Sequence, residues 1–255
     1  MITPRIIPCL LIDDQDLVKT IKFSKKKYIG DPINTLRIFN ELETDELMIL
    51  DIYASKNNKE PDFNFIKEIV SEAFMPLAIG GGIKSLDHAS KLFNLGVEKV
   101  VINTAALNSF DLIESISNKF GNQSVIISID IKKSFFGNYH IYNHVSKKKL
   151  NIDISNYIKK AIEKGAGEVF FNLVDKDGMC NGYDVDFIKQ FSKKITTPLI
   201  VCGGANKIED FKYAISSGAD ACAAGSMFVY KGNHKAVMIN YPKYNDILNF
   251  FKSEL

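Results

Sequence analysis

No apolar run in this 255-residue chain approaches the roughly 20 residues that cross a bilayer, so the sequence predicts no membrane span. Its four cysteines, Cys9, Cys180, Cys202 and Cys222, stand far apart with no CxxC pair, and read as buried thiols in a reducing compartment. The four histidines, His88, His140, His144 and His234, are equally scattered, so neither a metal nor another cofactor is expected. Arginine is nearly missing, with only Arg5 and Arg37. A net charge of +2 is too near neutral to suggest a nucleic-acid partner. The short basic runs 25–27 and 147–149 read as solvated loops, with phosphate steering by the first as the alternative. No linker interrupts the chain, and MITPRIIPCLLID leads straight into a strand without a signal sequence, which makes a cytoplasmic location the expectation.

What the chain does have is a repeat. The stretch beginning at Met75 lies over the one beginning at Thr197 without a gap, so that Pro76 falls on Pro198, Gly81 and Gly82 on Gly203 and Gly204, Gly96 on Gly218, Glu98 on Asp220 and Thr104 on Ser226. Each copy reads as a short strand, a glycine turn, an amphipathic helix, a closing glycine, a second strand and a small hydroxyl residue. Consecutive glycines before a helix let the backbone approach a ligand and offer free N–H groups, an arrangement suited to phosphate. Two such turns suggest two phosphates. The match extends to Glu46 over Glu168, and IIPCLL at 6–11 lies over VIISID at 125–130, which sets Leu11 against Asp130.

Eight strand–helix alternations follow from the periodicity. The predicted strands are 5–11, 46–51, 77–79, 100–103, 124–130, 168–173, 199–202 and 221–224. The predicted helices are 31–43, 62–73, 86–95, 111–120, 153–164, 186–191, 208–217 and 244–252. Short continuous apolar strands are those of a parallel sheet covered on both faces, and the length suits one (βα)8 TIM barrel, built from two duplicated half-barrels and occupying residues 1–255 as a single domain.

The segments RIIPCL (5–10), DELMILDI (45–52), GGGI (80–83), INTAA (102–106), SIDIK (128–132), DKDG (175–178) and GGA (203–205) resemble, in order and spacing, the cyclase subunit of imidazole glycerol phosphate synthase. The resemblance implies a lyase or cyclase-type subunit that receives ammonia from a glutaminase partner in a heterodimer. The ammonia travels through the barrel to a ribulosyl-linked imidazole-carboxamide nucleotide with a phosphate at each end. One phosphate site then matches Gly81, Gly82, Asn103 and Thr104; the other matches Asp177, Gly178, Gly203, Gly204, Gly225 and Ser226. Lys19 matches a lysine of the mobile first loop, Asp130 a catalytic aspartate, and Glu98 a contact to the partner.

Arg5, Glu46, Lys99 and Glu168 match the family's ring of charges at the barrel base. Four charges at the bottom of a barrel are costly unless they pair, and the paired ring is either a plug sealing the floor or an ammonia gate. Asp51 ends the second strand and either holds its loop or touches ligand.

One position departs from the family pattern: the aspartate expected to face Asp130 from the end of the first strand is Leu11. Leucine moves no proton, and losing an acid–base group costs about 100- to 10,000-fold, so weak or absent cyclase turnover is expected. LLID, the stretch VKTIKFSKKKYIGDPINTLRIFNE and the tail FVYKGNHKAVMINYP resemble the cyclase-like paralogues of bacterial surface-sugar clusters. Those act beside a glutaminase and a separate sugar amidotransferase in acetamidino sugar synthesis, which makes that role the leading expectation. The alternatives are an orthodox histidine-pathway cyclase tolerating Leu11, and a non-catalytic scaffold that activates the glutaminase.

Overall fold

The computed structural model describes residues 4–232 and 234–252. Eight parallel strands form the barrel: β1 (Arg5–Asp13), β2 (Leu47–Asp51), β3 (Leu77–Gly80), β4 (Lys99–Ile102), β5 (Val125–Lys133), β6 (Glu168–Leu173), β7 (Leu199–Cys202) and β8 (Ala221–Ala224). Each pairs with its neighbours in chain order. The barrel closes where Arg5 of β1 lies in register with Ala221 of β8, and the two halves join where Asp130 of β5 lies beside Asn172 of β6. The predicted TIM barrel is therefore the fold.

The helices are α1 (Pro32–Glu41), α2 (Phe63–Glu72), α3 (Leu86–Leu95), α4 (Asp111–Phe120), α5 (Ile154–Glu163), α6 (Val185–Ser192), α7 (Ile208–Ser216), a short α8 (Ser226–Val229) and α9 (Tyr244–Lys252). Their starts are written in the sequence. Asp31, Asp62, Ser85, Asp153 and Asp184 each accept a hydrogen bond from the backbone N–H three residues on, which satisfies a donor the first turn leaves free and contributes about 1 kcal/mol apiece. Helix α3 ends at Gly96, where a φ of 107° reverses the chain.

Strand alternation divides the apolar residues into two layers. Ile6, Leu10 and Ile12 of β1 point outward into the large core between strands and helices, with Phe171, Phe187 and Phe211. Ile7, Cys9 and Leu11 point inward with Met48, Val101, Ile126, Phe170 and Ile200, filling the barrel. The interior is a packed core with small residues, Ala78, Ala221 and Ala223, on β3 and β8.

Two elements go beyond the predicted pattern. An antiparallel hairpin of Asp16–Ile21 and Ser24–Gly30 extends β1, and a second, of Tyr139–Asn143 and Lys148–Leu150, extends β5. They stand at equivalent places in the two half-barrels, and both rise over the C-terminal mouth. A minor third pairing joins Tyr230–Lys231 to Ala236–Val237.

Candidate active site

A cavity of about 390 Å3 opens at the C-terminal ends of the strands, where TIM-barrel enzymes place their chemistry. Lys19, Asp51, Asn103, Thr104, Asp130, Asp177 and Gly178 line it together with the glycine pairs 81–82 and 203–204, Gly225 and Ser226. All of the residues assigned from sequence to phosphate binding or catalysis meet in this one space.

The first cradle is closed by backbone. Gly82 has a φ of 70°, and a Cβ there would lie 2.8 Å from the Lys59 carbonyl oxygen, so only glycine fits. Its N–H donates a long bond of 3.4 Å to Ser55 Oγ. Beside it the hydroxyl of Thr104 is buried with no hydrogen-bond partner, a state that an anionic oxygen would relieve. Asn103 turns its amide to Ser128 Oγ at 3.3 Å.

The second cradle has a cation in it. Lys19, on the first strand of the β1 hairpin, is buried, and its Nζ occupies the space that a side chain at Gly225 would need. It forms no ion pair among the described residues. A buried ammonium without a counter-ion is costly, so this place favours an anion between Lys19, Gly225 and Ser226.

Asp177 does something the sequence did not disclose. Its carboxylate accepts from Thr20 Oγ1 at 2.6 Å and from the Phe23 N–H at 3.1 Å, while its carbonyl accepts from the Lys22 N–H at 3.0 Å. Asp175, in the same turn, accepts from the Lys133 N–H at 2.7 Å. The DKDG turn thus clamps both mouth hairpins, and Asp177 holds the segment that delivers Lys19.

Asp51 ends β2 with Oδ1 accepting from the N–H groups of Tyr53 at 2.9 Å and Ala54 at 2.8 Å. Burial nevertheless raises its carboxyl above the usual range. The Cys202 thiol in the mouth is a poor nucleophile: hydrogen bonding with Cys9 and burial push it well up.

Leu11 faces the cavity as the half-barrel superposition requires, packed in the interior cluster with Cys9, Val18 and Leu50. Asp130 is buried on the other half, and its Oδ2 lies 3.1 Å from Nδ1 of His144. Sequence reasoning passed over His144 because it belongs to no metal pattern. The available signal was a histidine in the turn of a segment following a catalytic-rim aspartate.

At the opposite end, Arg5 Nη1 lies 2.8 Å from Glu46, and Arg5 Nη2 lies 2.9 Å from Glu168. Lys99 Nζ lies 3.1 Å from Glu46 and 2.9 Å from Glu168. The four predicted residues form a closed ring of alternating sign across the barrel floor. Burial works against the charge of Arg5, but the carboxylates of Glu168 and Glu46 outweigh it and raise its pKa. Glu98 is exposed on the same rim, at the entry to β4.

A family model described as "Histidine biosynthesis protein" matches residues 5–235. The chain belongs to this family. Among its relatives, a Pseudomonas aeruginosa protein provisionally named imidazole glycerol phosphate synthase subunit hisF2 is 46% identical over 97% of this chain and 99% of its own. A Leptospira interrogans protein with the provisional name of imidazole glycerol phosphate synthase subunit HisF is 47% identical over 96% of this chain and 98% of its own. The imidazole glycerol phosphate synthase subunit HisF of Streptomyces griseus is 37% identical over 88% of this chain and 89% of its own. The histidine-biosynthesis family and these relatives agree with a cyclase-type subunit. Among the described residues no helix is long and apolar enough to cross a membrane, and no cluster of His, Cys, Asp and Glu could hold a metal ion.

Proposed function

We propose that this chain is the synthase-like subunit of a glutamine-dependent amidotransferase complex, taking ammonia from a glutaminase at the N-terminal face and using or delivering it at the mouth. The observation that carries this reading is the charge ring, closed on the barrel floor at the far end of an apolar interior from the cradles. Neutral ammonia crosses an apolar interior far more readily than an ammonium ion. A ring of paired charges is a floor that can rearrange without leaving any member unpartnered. The rim around it offers the charged Glu98 and, in the loop after α2, Phe74 at 87% exposure, an aromatic group of the kind protein interfaces use.

The substrate is a phosphorylated small molecule. The orphan hydroxyl of Thr104 and the buried Lys19 without an ion pair, both lining one cavity, support this reading. Leu11, together with the resemblance of the LLID stretch and the tail to surface-sugar paralogues, favours an acetamidino sugar setting, beside a separate sugar amidotransferase, over orthodox histidine synthesis.

The test is reconstitution with a glutaminase subunit. Adding the barrel should raise glutamine hydrolysis, and the barrel with ammonium salt should turn over the ribulosyl-linked imidazole-carboxamide nucleotide only slowly. No change in glutamine hydrolysis would remove the complex from consideration, and turnover at the rate of the orthodox enzyme would make histidine synthesis the better account.

A further inference from the structure

The family pattern leaves Asp130 alone, yet the structure gives it a partner. His144 sits in the turn of the second mouth hairpin, and that turn is built: Asn143 Oδ1 accepts from the N–H groups of Val145 at 2.9 Å and Ser146 at 3.0 Å, fixing the backbone on both sides of the histidine. The hairpin is anchored through the Lys133 N–H to Asp175. From this platform Nδ1 reaches Oδ2 of Asp130 at 3.1 Å, while the imidazole remains 23% exposed and lines the cavity. The aspartate itself is 5% exposed, a buried carboxylate that fixes the ring when Nδ1–H donates a hydrogen bond to it. In that tautomer Nε2 keeps its lone pair for whatever occupies the mouth. A buried carboxylate behind an imidazole that faces a cavity is the arrangement by which enzymes orient a proton-transfer group.

We propose that His144, oriented by Asp130, is the acid–base group of this site, doing part of the work that a carboxylate at position 11 would do. The inference rests on the amidotransferase reading of the same cavity. A ribulosyl group carries a ketone. As the nitrogen of ammonia bonds to the carbonyl carbon, Nε2 takes a proton from that nitrogen and gives it to the carbonyl oxygen. A second transfer of the same kind releases that oxygen as water and leaves an imine. Two protons pass from nitrogen to oxygen, and His144 and Asp130 end in the protonation states in which they began. Asp130 is the positioning residue, and Leu11 is free to be apolar because its side of the mouth moves no proton.

Imidazole is the side chain that changes charge near neutral pH, so the assignment has a pH signature. The charged groups around it are Lys147 on its own hairpin and Lys19, Lys25, Asp51, Lys56 and Asp177 across the cavity, with the phenols of Tyr142 and Tyr157 close to Asp130. The experiment follows turnover of the ribulosyl-linked nucleotide with ammonium chloride, in wild type, His144→Gln and His144→Ala, between about pH 6 and 9. Nucleotide binding is measured separately by calorimetry, and folding by circular dichroism. His144→Gln should lower kcat about 100- to 10,000-fold with KM little changed and should erase the acid limb of the wild-type profile. Added imidazole should restore part of the rate of His144→Ala.

An unchanged rate and profile in His144→Gln would overturn the assignment, as would a wild type that binds the nucleotide and makes no product at any pH. Failure of wild type to bind the nucleotide would instead sink the substrate reading. The pair is then decided by the 15N spectrum of the ligand-free protein. A neutral His144 protonated on Nδ1, and losing that preference in Asp130→Asn, upholds it; a proton on Nε2 overturns it.

Discussion

Asp51 combines two facts that pull apart: two backbone N–H groups favour its ionised form, and burial disfavours it more strongly. A carboxyl whose pKa is raised on folding binds its proton more tightly in the folded chain than in the unfolded one. Its stabilising contribution is therefore complete below the ordinary carboxylate pKa and is lost as pH rises through the folded value. Asp51→Asn keeps an acceptor for Tyr53 and Ala54 while removing the charge. The variant should melt about 1–3 °C above wild type at pH 7, with the gap closing toward pH 4, in scanning fluorimetry at both pH values. Its nucleotide affinity should be preserved, which separates a residue that holds its loop from one that touches ligand. Sequence left those two roles open, because a carboxylate ending a strand looks the same in both. The glycines were legible for the opposite reason: at Gly82 a positive φ and a carbonyl oxygen where Cβ would be leave no other residue type, so chemistry and letter coincide.

The elements divide in the same manner. All eight barrel strands were visible as short apolar runs, since burial on both faces demands such residues, and five helix starts were visible through their capping side chains. The two mouth hairpins were not. The strand Ser24–Gly30 reads SKKKYIG and is exposed along most of its length, so no alternation of apolar and polar residues announces it. What holds it in place is remote in sequence, namely the DKDG turn. Removing the Asp177 carboxylate deletes two charge-assisted bonds, to Thr20 and Phe23, worth about 1.5–3 kcal/mol each. In Asp177→Ala the first hairpin should come loose while the barrel stays folded. Trypsin would then cut within the lysine run 25–27 at least about tenfold faster than in wild type, a ratio that corresponds to about 1.4 kcal/mol of lost anchoring. Affinity for the nucleotide should fall with it, because Lys19 is delivered by the same hairpin. Equal proteolysis rates in the two proteins would mean that the turn is not the clamp.

At the scale of the whole molecule the chain is two half-barrels with one asymmetry at each end. The mouth has Leu11 on one half and the Asp130–His144 pair on the other; the floor has Arg5 and Lys99 in the first half, and Glu46 and Glu168 at equivalent places in both. The floor decides whether the barrel is a conduit or merely sealed. Lys99 is bonded to both glutamates at the entrance to β4, and its side chain is 13% exposed. Lys99→Ala leaves those carboxylates with Arg5 alone, so a loss of about 3–5 kcal/mol is the upper expectation for a fully buried charge, and less for one that water reaches in part. A seal and a gate differ in what else fails. Product formation by the reconstituted complex would be measured with glutamine and with ammonium salt, side by side, for wild type and variant. If ammonia passes through the ring, Lys99→Ala should reduce the glutamine-driven rate several-fold while the ammonium-driven rate stays within the range set by its lower stability, because ammonia from bulk solvent enters at the mouth. Equal losses in both assays would mean a damaged barrel, and the ring would then be only its floor.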